Sequence, residues 1–301
     1  MRVHSDWSTG AFEFEPCAPG VGPFAQRGFL ETWWGHRGAG ELMLVESDEA
    51  LLPLYRERDV VRFLGESDLT DYHSPLGAGA EDLIAEMATA LPAGTGLSLD
   101  SLPAEASEIV CRGLGRAGLT PRPRQHETAA VLTLPDTYGD YLGGLSSKER
   151  HEARRKGRRF TAALGEPRLV RDGSAEALDA FVRMHRSAPG DKGAFFDDEM
   201  RRFFAALLDG AGAVLDLLVA SDETPVAAAF GFEAPDAYYL YNSSFDPEFG
   251  HVSPGVVMVN VMIEAAIGGG RSRFDFLKGD ESYKFRLGGM ARPLFQVEVS
   301  R

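Results

Sequence analysis

The segment FDFLKGDESYKFRLGG, residues 274–289, runs a strand-like alternation into a glycine and then a dense group of titratable side chains. A carboxylate can take the proton of an attacking amine, a tyrosine can give one to a leaving thiolate, and a lysine can hold an oxyanion. Asp275, Asp280, Glu281, Tyr283 and Lys284 therefore suit an acyl-transfer step. Period-two alternation sets Asp275 on the face opposite Phe274 and Phe276. Two plainer accounts stay open: Asp275 can cap a loop or pair with an arginine, and the later group can form a salt-bridged turn.

A second group lies upstream, where the strand-like AYYLYNSSFD (237–246) turns into a helix with Ser253 at the N-cap and Pro254 at the first helical position. A helix N-terminus presents unsatisfied N–H groups and a positive dipole end, so the turn carrying Gly250, His251, Ser253, Gly255 and Val256 suits a phosphate. Within the strand, Asn242, between Tyr241 and Ser243, is a polar side chain that needs a partner. HVSPGV is neither a phosphate-loop nor a dinucleotide fingerprint, and an ordinary strand-turn-helix accounts for the same residues.

The third group is KERHEARRKGRR (148–159), with seven Lys or Arg against two Glu in a chain of net charge −14. Arg150 and Arg154 stand four apart on one helix face, with Arg155, Arg158 and Arg159 on neighbouring ones, an arrangement able to hold donor or acceptor phosphates. A solvated helix tied by salt bridges to the acidic remainder is the alternative. Tyr72 and His73 in TDYHSPL, and His185 and Arg186 near a helix end, complete the candidates for substrate binding.

The elements that must position these residues follow from periodicity. AFEFEP reads as a strand, FAQRGFLETWWGHR as a helix, and ELMLVES, ALLPLYRER and VVRFLG as strands. Helices over about 82–90 and 105–117 flank the strand TGLSLDSLP. After GLTPRPRQHE (118–127), whose prolines and low apolar content mark a linker, ETAAVLTLP is a strand and 138–164 a helical stretch broken near Gly143 and Gly144. PRLVRD is a strand, followed by helices over 175–187 and 198–209 and by three consecutive strands ending at 246. The helix from Ser253 is apolar nearly all round, with Asn260 and Glu264 its polar stripe, and must be buried on most sides; RFDFL then leads back to the opening segment.

At 301 residues the chain exceeds the roughly 150 of one domain, so two are expected, 1–125 and 126–301. Hydrophobic residues at 44% and charged residues at 25% describe a folded globular protein. The start, MRVHSDWSTG, lacks the apolar stretch of a signal peptide, and no apolar run approaches the ~20 residues of a membrane span, so a cytoplasmic protein without membrane insertion is expected. Cys17 and Cys111 offer neither a disulfide framework nor a cysteine zinc site, and no metal is expected. The acidic balance argues against a general DNA or RNA binder.

In their order, LSSKERHEARRKGRRF, FFDDEMRRFFAALL, TPVAAAFGF, YYLYNSSFDPEFGHVSPG and FDFLKGDESYKFRLG resemble the GNAT-superfamily acyltransferases of the BioF2-like or cellulose-biosynthesis (CelD) type, relatives of the Fem-type aminoacyltransferases. The resemblance covers about 127–289, and FLETWW, PLYRER and FLGESDLTDYHSPL are similar to the portion that precedes this domain in the family. It implies an α/β (α+β) chain of two tandem GNAT-like domains, each a mixed, mostly antiparallel central sheet flanked by helices. It implies an N-acyltransferase with acetyl-CoA or another acyl-CoA as co-substrate, its pantetheine along 237–245 and its pyrophosphate at Gly250–Gly255. A small-molecule or peptide amine acceptor would lie between the halves. SPG stands where the family has Arg/Gln-x-x-Gly-x-Gly/Ala, with His251 near the first position of that signature and Val256 near a glycine position, so acyl carrier protein or aminoacyl-tRNA are alternative donors. Tyr283 falls where the family's thiolate-protonating tyrosine falls, and the pair Tyr283–Lys284 resembles the aromatic-Lys pair of Fem-type enzymes, in which the lysine stabilises charge. The rival readings are a Fem-like aminoacyl-tRNA-dependent transferase and a catalytically silent GNAT-fold binding protein.

Overall fold

Chain contacts cluster into two units, Met1–Ala129 with Arg292–Arg301 and Ala130–Ala291. The computed structural model describes residues 1–301 apart from the side chains of Asp191 and Lys192. Unit 1 contains β1 (Arg2–His4), α1 (Arg27–Arg37), β2 (Glu41–Glu46), β3 (Leu51–Glu57), β4 (Val60–Phe63), α2 (Ala80–Ala90), β5 (Gly96–Leu102) and α3 (Ala104–Arg116). Strands β1 to β4 pair antiparallel in chain order and β5 joins β4 in parallel. The strand expected at AFEFEP is instead a 3₁₀ turn at Ala11–Glu13, because the Thr9 hydroxyl takes the Ala11 N–H at 3.1 Å and tightens the chain there.

The next elements are β6 (Arg122–Thr133), α4 (Tyr138–Gly144), α5 (Ser147–Leu164), β7 (Arg168–Arg171), α6 (Ala175–Arg186), α7 (Asp191–Ala194) and α8 (Asp198–Gly210). They are followed by β8 (Ala213–Val219), β9 (Pro225–Glu233), β10 (Ala237–Phe245), α9 (Pro254–Gly268), β11 (Arg273–Lys278), α10 (Ser282–Arg286) and β12 (Met290–Ser300). The unit boundary falls inside β6, so most of the expected linker 118–127 is strand; its prolines sit at the strand's start, where a missing N–H costs least. Arg292–Arg301, assigned by sequence to the second domain, belongs to unit 1, where β12 pairs antiparallel with β5.

Unit 2 builds a sheet in the order β6-β11-β10-β9-β8-β7. Neighbours from β7 to β10 run antiparallel, and α9 is the crossover that makes β10 and β11 parallel. Four of its helices start on side chains that satisfy a first-turn N–H group: Thr137 for α4, Ser146 for α5, Ser174 for α6 and Asp197 for α8. On one face α9 packs its Val257, Met258 and Ile263 over Tyr238, Leu240, Phe274 and Phe276 in a core that also takes Phe160 of α5. The other face carries an aromatic cluster in which Phe204 of α8 lies 4.6 Å from Phe230 of β9 and Phe181 of α6 lies 5.3 Å from Phe196. Among the described residues no helix is long and apolar enough to cross a membrane.

Candidate active site

The parallel pair opens early. Strand β10 keeps register with β9 to Phe245, but with β11 only at Ala237–Arg273, Tyr238–Phe274 and Tyr239–Asp275. The β9 register shifts between Leu240 and Asn242, so Tyr241 is a bulge residue, and a bulge bends a strand away from its neighbour. Beyond the last shared pair, Tyr241, Asn242 and Ser243 are half-buried, after four buried residues, Ala237 to Leu240, of the same strand. The ends of the diverging strands lead into α9 and α10, which carry the other candidate residues.

Lys284, on α10, is only 3% exposed. Its ammonium donates to the carbonyls of Leu277 at 3.3 Å, Gly279 at 3.4 Å and Lys278, and pairs with Glu281 at 2.9 Å. It therefore closes the end of β11, and an oxyanion would have to displace one of these partners. Leu277 has φ 60° and its N–H is taken by the Asp275 carboxylate at 2.9 Å. Asp275 is fully buried, on the face opposite Phe274 and Phe276, and holds the backbone kink. Asp280 is exposed. Tyr283 packs edge-on against Phe276, and burial, aided by Glu281, pushes its phenol up to about 12. The segment after Gly279 is thus a short helix and not the polar tail of a strand.

Helix α9 begins as the proline implied, but Ser253 does not cap it with its side chain: the residue sits in the left-handed region at φ 56°, which turns its hydroxyl away from the first-turn N–H groups. That hydroxyl instead accepts from Arg159 of α5 at 3.2 Å, so the basic helix reaches the turn singled out for a phosphate. Gly250 and His251 are exposed, His251 bonded to the Glu248 carbonyl at 3.2 Å, and Gly255 lies against Phe245. Arg150 is tied to the chain through one nitrogen: its Nη1 donates to the Leu142 and Gly143 carbonyls at 3.2 and 3.0 Å, at the end of α4. Arg154 is exposed. The side of α5 that faces α9 and α10 carries Lys148, Glu149, Glu152 and Lys156, and these surround a cavity of about 160 Å³ together with Val256, Asn260, Tyr283 and Arg286. Asn260 is 7% exposed; its Nδ2 donates to the Val256 carbonyl at 2.8 Å and its Oδ1 has no partner. In the sequence Asn260 stands out only as part of a polar stripe, and the signal of a site there is an amide on an otherwise apolar helix.

On the opposite face His185 and Asn242, expected in separate roles, come together: His185 Nε2 lies 3.0 Å from Asn242 Oδ1. His185 is buried and set between Phe181, Phe195 and Phe196. Tyr241 stacks on Phe204 at 5.5 Å, so its ring belongs to the aromatic cluster. Arg186 is committed to the Phe196 carbonyl at 2.7 Å and Asp198 at 2.8 Å. In unit 1, Tyr72 is fully buried under the Arg292 guanidinium, and His73 binds Asp100 at 3.1 Å and stacks on Phe63; both are core residues there.

Residues 147–285 match the family model of the acetyltransferase (GNAT) domain. The fold is similar to that of FemX, at 12% identity over 95% of this chain and 93% of that one with a TM-score of 0.64. It is similar also to L-PGS from Bacillus licheniformis, at 12% identity over 95% and 93% with a TM-score of 0.57. A third likeness is the C-terminal DUF2156 domain of a protein assigned as a lysylphosphatidylglycerol synthetase from Agrobacterium fabrum, at 11% identity over 92% and 86% with a TM-score of 0.58. No curated protein sequence matches the chain.

Proposed function

We propose that this chain, a GNAT-superfamily transferase through its domain at 147–285, is an N-acyltransferase that moves an acyl group from the thioester of a pantetheine-type arm to an amine on a small molecule or peptide. The observation that supports this reading is the end of the β10–β11 register after Tyr239–Asp275, beyond which a slot for such an arm would open toward α9 and α10. An arm in that slot adds the missing neighbour to β10 and brings its amides to Asn242, held by His185.

The amine nitrogen attacks the thioester carbonyl; the C–N bond forms, the C–S bond breaks, and the amine proton leaves to water. Backbone N–H groups of β10 beyond the bulge, on the edge away from β9, would receive the oxyanion. Tyr283 then faces the departing sulfur. Its phenol, pushed up to about 12, is a much weaker acid than an ordinary thiol at ~8.5, so it steadies the thiolate as a hydrogen-bond donor and full protonation comes from solvent. Lys284 acts indirectly, by fixing the end of β11 from which α10 presents Tyr283. Coenzyme A and a carrier protein both supply such an arm, and the same slot suits an aminoacyl group, which the lysylphosphatidylglycerol synthetase among the fold neighbours favours. The expectation of a cytoplasmic enzyme belongs to this proposal.

The test is product formation from acetyl, acyl and aminoacyl thioesters offered with a panel of amines and followed by mass spectrometry. An acylated amine, with turnover lowered about tenfold or more by Asn242→Ala, supports the reading. The absence of product and of thioester-induced thermal stabilisation across the panel would overturn it.

A further inference from the structure

Among the described residues, Lys148, Arg154 and Arg158 of α5 are exposed and make no ion pair, and Arg159 bonds only to Ser253, in a chain with 45 acidic against 31 basic residues. With so many carboxylates available, cations left unpaired on one helix mark an attractive surface for an anion rather than an internal brace. At about 100° per residue, Arg154 and Arg158 stand one turn apart on the outer flank, while Lys148 and Arg159 lie at its edge toward the cavity.

The phosphate seat beside this flank is thin. Pro254 has no N–H, and the N–H groups of Val256 and Val257 both donate to the Ser253 carbonyl, at 3.1 and 3.2 Å. Of the first four residues of α9, only Gly255 keeps a free donor. One N–H and the Arg159 guanidinium suit a single phosphate better than a diphosphate. The cavity that follows, about 160 Å³, is well below the ~300 Å³ where ordinary small-molecule sites begin, so it takes a slender chain and no nucleotide. Deep within it Asn260 Oδ1, more than nine-tenths buried, is an acceptor awaiting an N–H, as an amide in such a chain supplies.

We propose that the acyl group arrives on an acidic carrier protein that docks on the exposed flank of α5 and passes a single-phosphate, amide-bearing arm beside Gly255 and Asn260 to Tyr283. This rests on the thioester reading above and names its donor. A nucleic acid fits less well: specific contacts with one spread over ~1,000 Å² or more of positive surface, whereas here the positive surface is one 18-residue helix in a chain of charge −14.

The experiment measures binding of an acidic acyl carrier protein bearing an acetylated phosphopantetheine arm, of the same carrier without the arm, and of acetyl-CoA. Each is tested against wild type, Arg154→Glu/Arg158→Glu and Asn260→Ala, with circular dichroism confirming that the variants fold. Expected are binding of the acetylated carrier at least about tenfold tighter than acetyl-CoA, a loss of about tenfold as salt is raised, and a comparable loss in the double charge reversal. Asn260→Ala is expected to weaken only the arm-bearing carrier; if it fails to fold, the comparison of carrier with and without its arm on wild type makes the same test. Acetyl-CoA binding more tightly than the carrier, or a carrier indifferent to the charge reversal, overturns the docking and leaves the acyltransferase reading standing. Transfer RNA displacing the carrier in a charge-dependent manner assigns the surface to nucleic acid and overturns it too. Binding of no thioester at all defeats both proposals.

Discussion

Lys284 carries its charge out of water, and an ammonium is stable there only because the carbonyls of Leu277, Lys278 and Gly279 and the Glu281 carboxylate surround it. Lys284→Met should therefore cost about 2–3 kcal/mol by leaving those carbonyls without a donor, read as a lowered urea midpoint at unchanged slope. Tyr283→Phe keeps the contact with Phe276 and should leave that midpoint nearly unchanged while, on the proposed mechanism, lowering kcat about tenfold through the loss of one hydrogen bond to the leaving sulfur. That contrast would separate a residue that builds the site from one that acts in it. The sequence flagged both side chains, but could not show which was internal. That depends on Gly279 at φ 111°, where an added Cβ would come within 2.9 Å of Lys284 Nζ, and on the kink at Leu277, neither of which follows from spacing.

At the scale of elements, β10 and α9 were legible, because tyrosine-rich alternation and the Ser-Pro start are strong local signals and tertiary packing agrees with them. The bulge at Tyr241 was not, since it is a relation between two strands, and it is the bulge that lets β10 leave β11. Helix α10, five residues long, is too short to show a period, so its polar residues passed for a strand's tail. Strand β12 went unread behind two glycines and Pro293. Ser253 illustrates a correct boundary with a different physical basis: its value lies in a left-handed backbone, not in capping. Ser253→Gly should keep α9 intact and lose only the Arg159 contact, whereas Ser253→Val, β-branched at φ 56°, should destabilise by about 1–2 kcal/mol. Thermal midpoints of the two variants decide it: a valine variant as stable as the glycine one would contradict the backbone account.

At the scale of the molecule the chromophores are unevenly shared. Trp7, Trp33 and Trp34 all lie in unit 1 with Tyr55 and Tyr72, while Tyr138, Tyr141, Tyr238, Tyr239, Tyr241 and Tyr283 lie in unit 2. Burial raises the phenols of Tyr138 and Tyr283 from 10 to about 12, and those of Tyr141 and Tyr238 upward as well, Tyr238 also beside the Asp216 carboxylate. An unfolded chain would ionise these groups near 10 while the folded one holds their protons. Above that pH the unfolded state therefore binds fewer protons and stability falls as pH rises. Unit 2 should keep a constant urea midpoint from neutral pH to about 10 and lose stability steadily through about 12, with phenolate absorbance appearing as it unfolds. Tryptophan emission reports unit 1, where burial also raises the Tyr55 phenol, so any loss of that signal over the same range is read separately from the phenolate absorbance of unit 2. Phenolate absorbance that rises fully near pH 10 with no loss of helix signal would mean these tyrosines are open to water, and would remove the buried setting on which the role of Tyr283 depends.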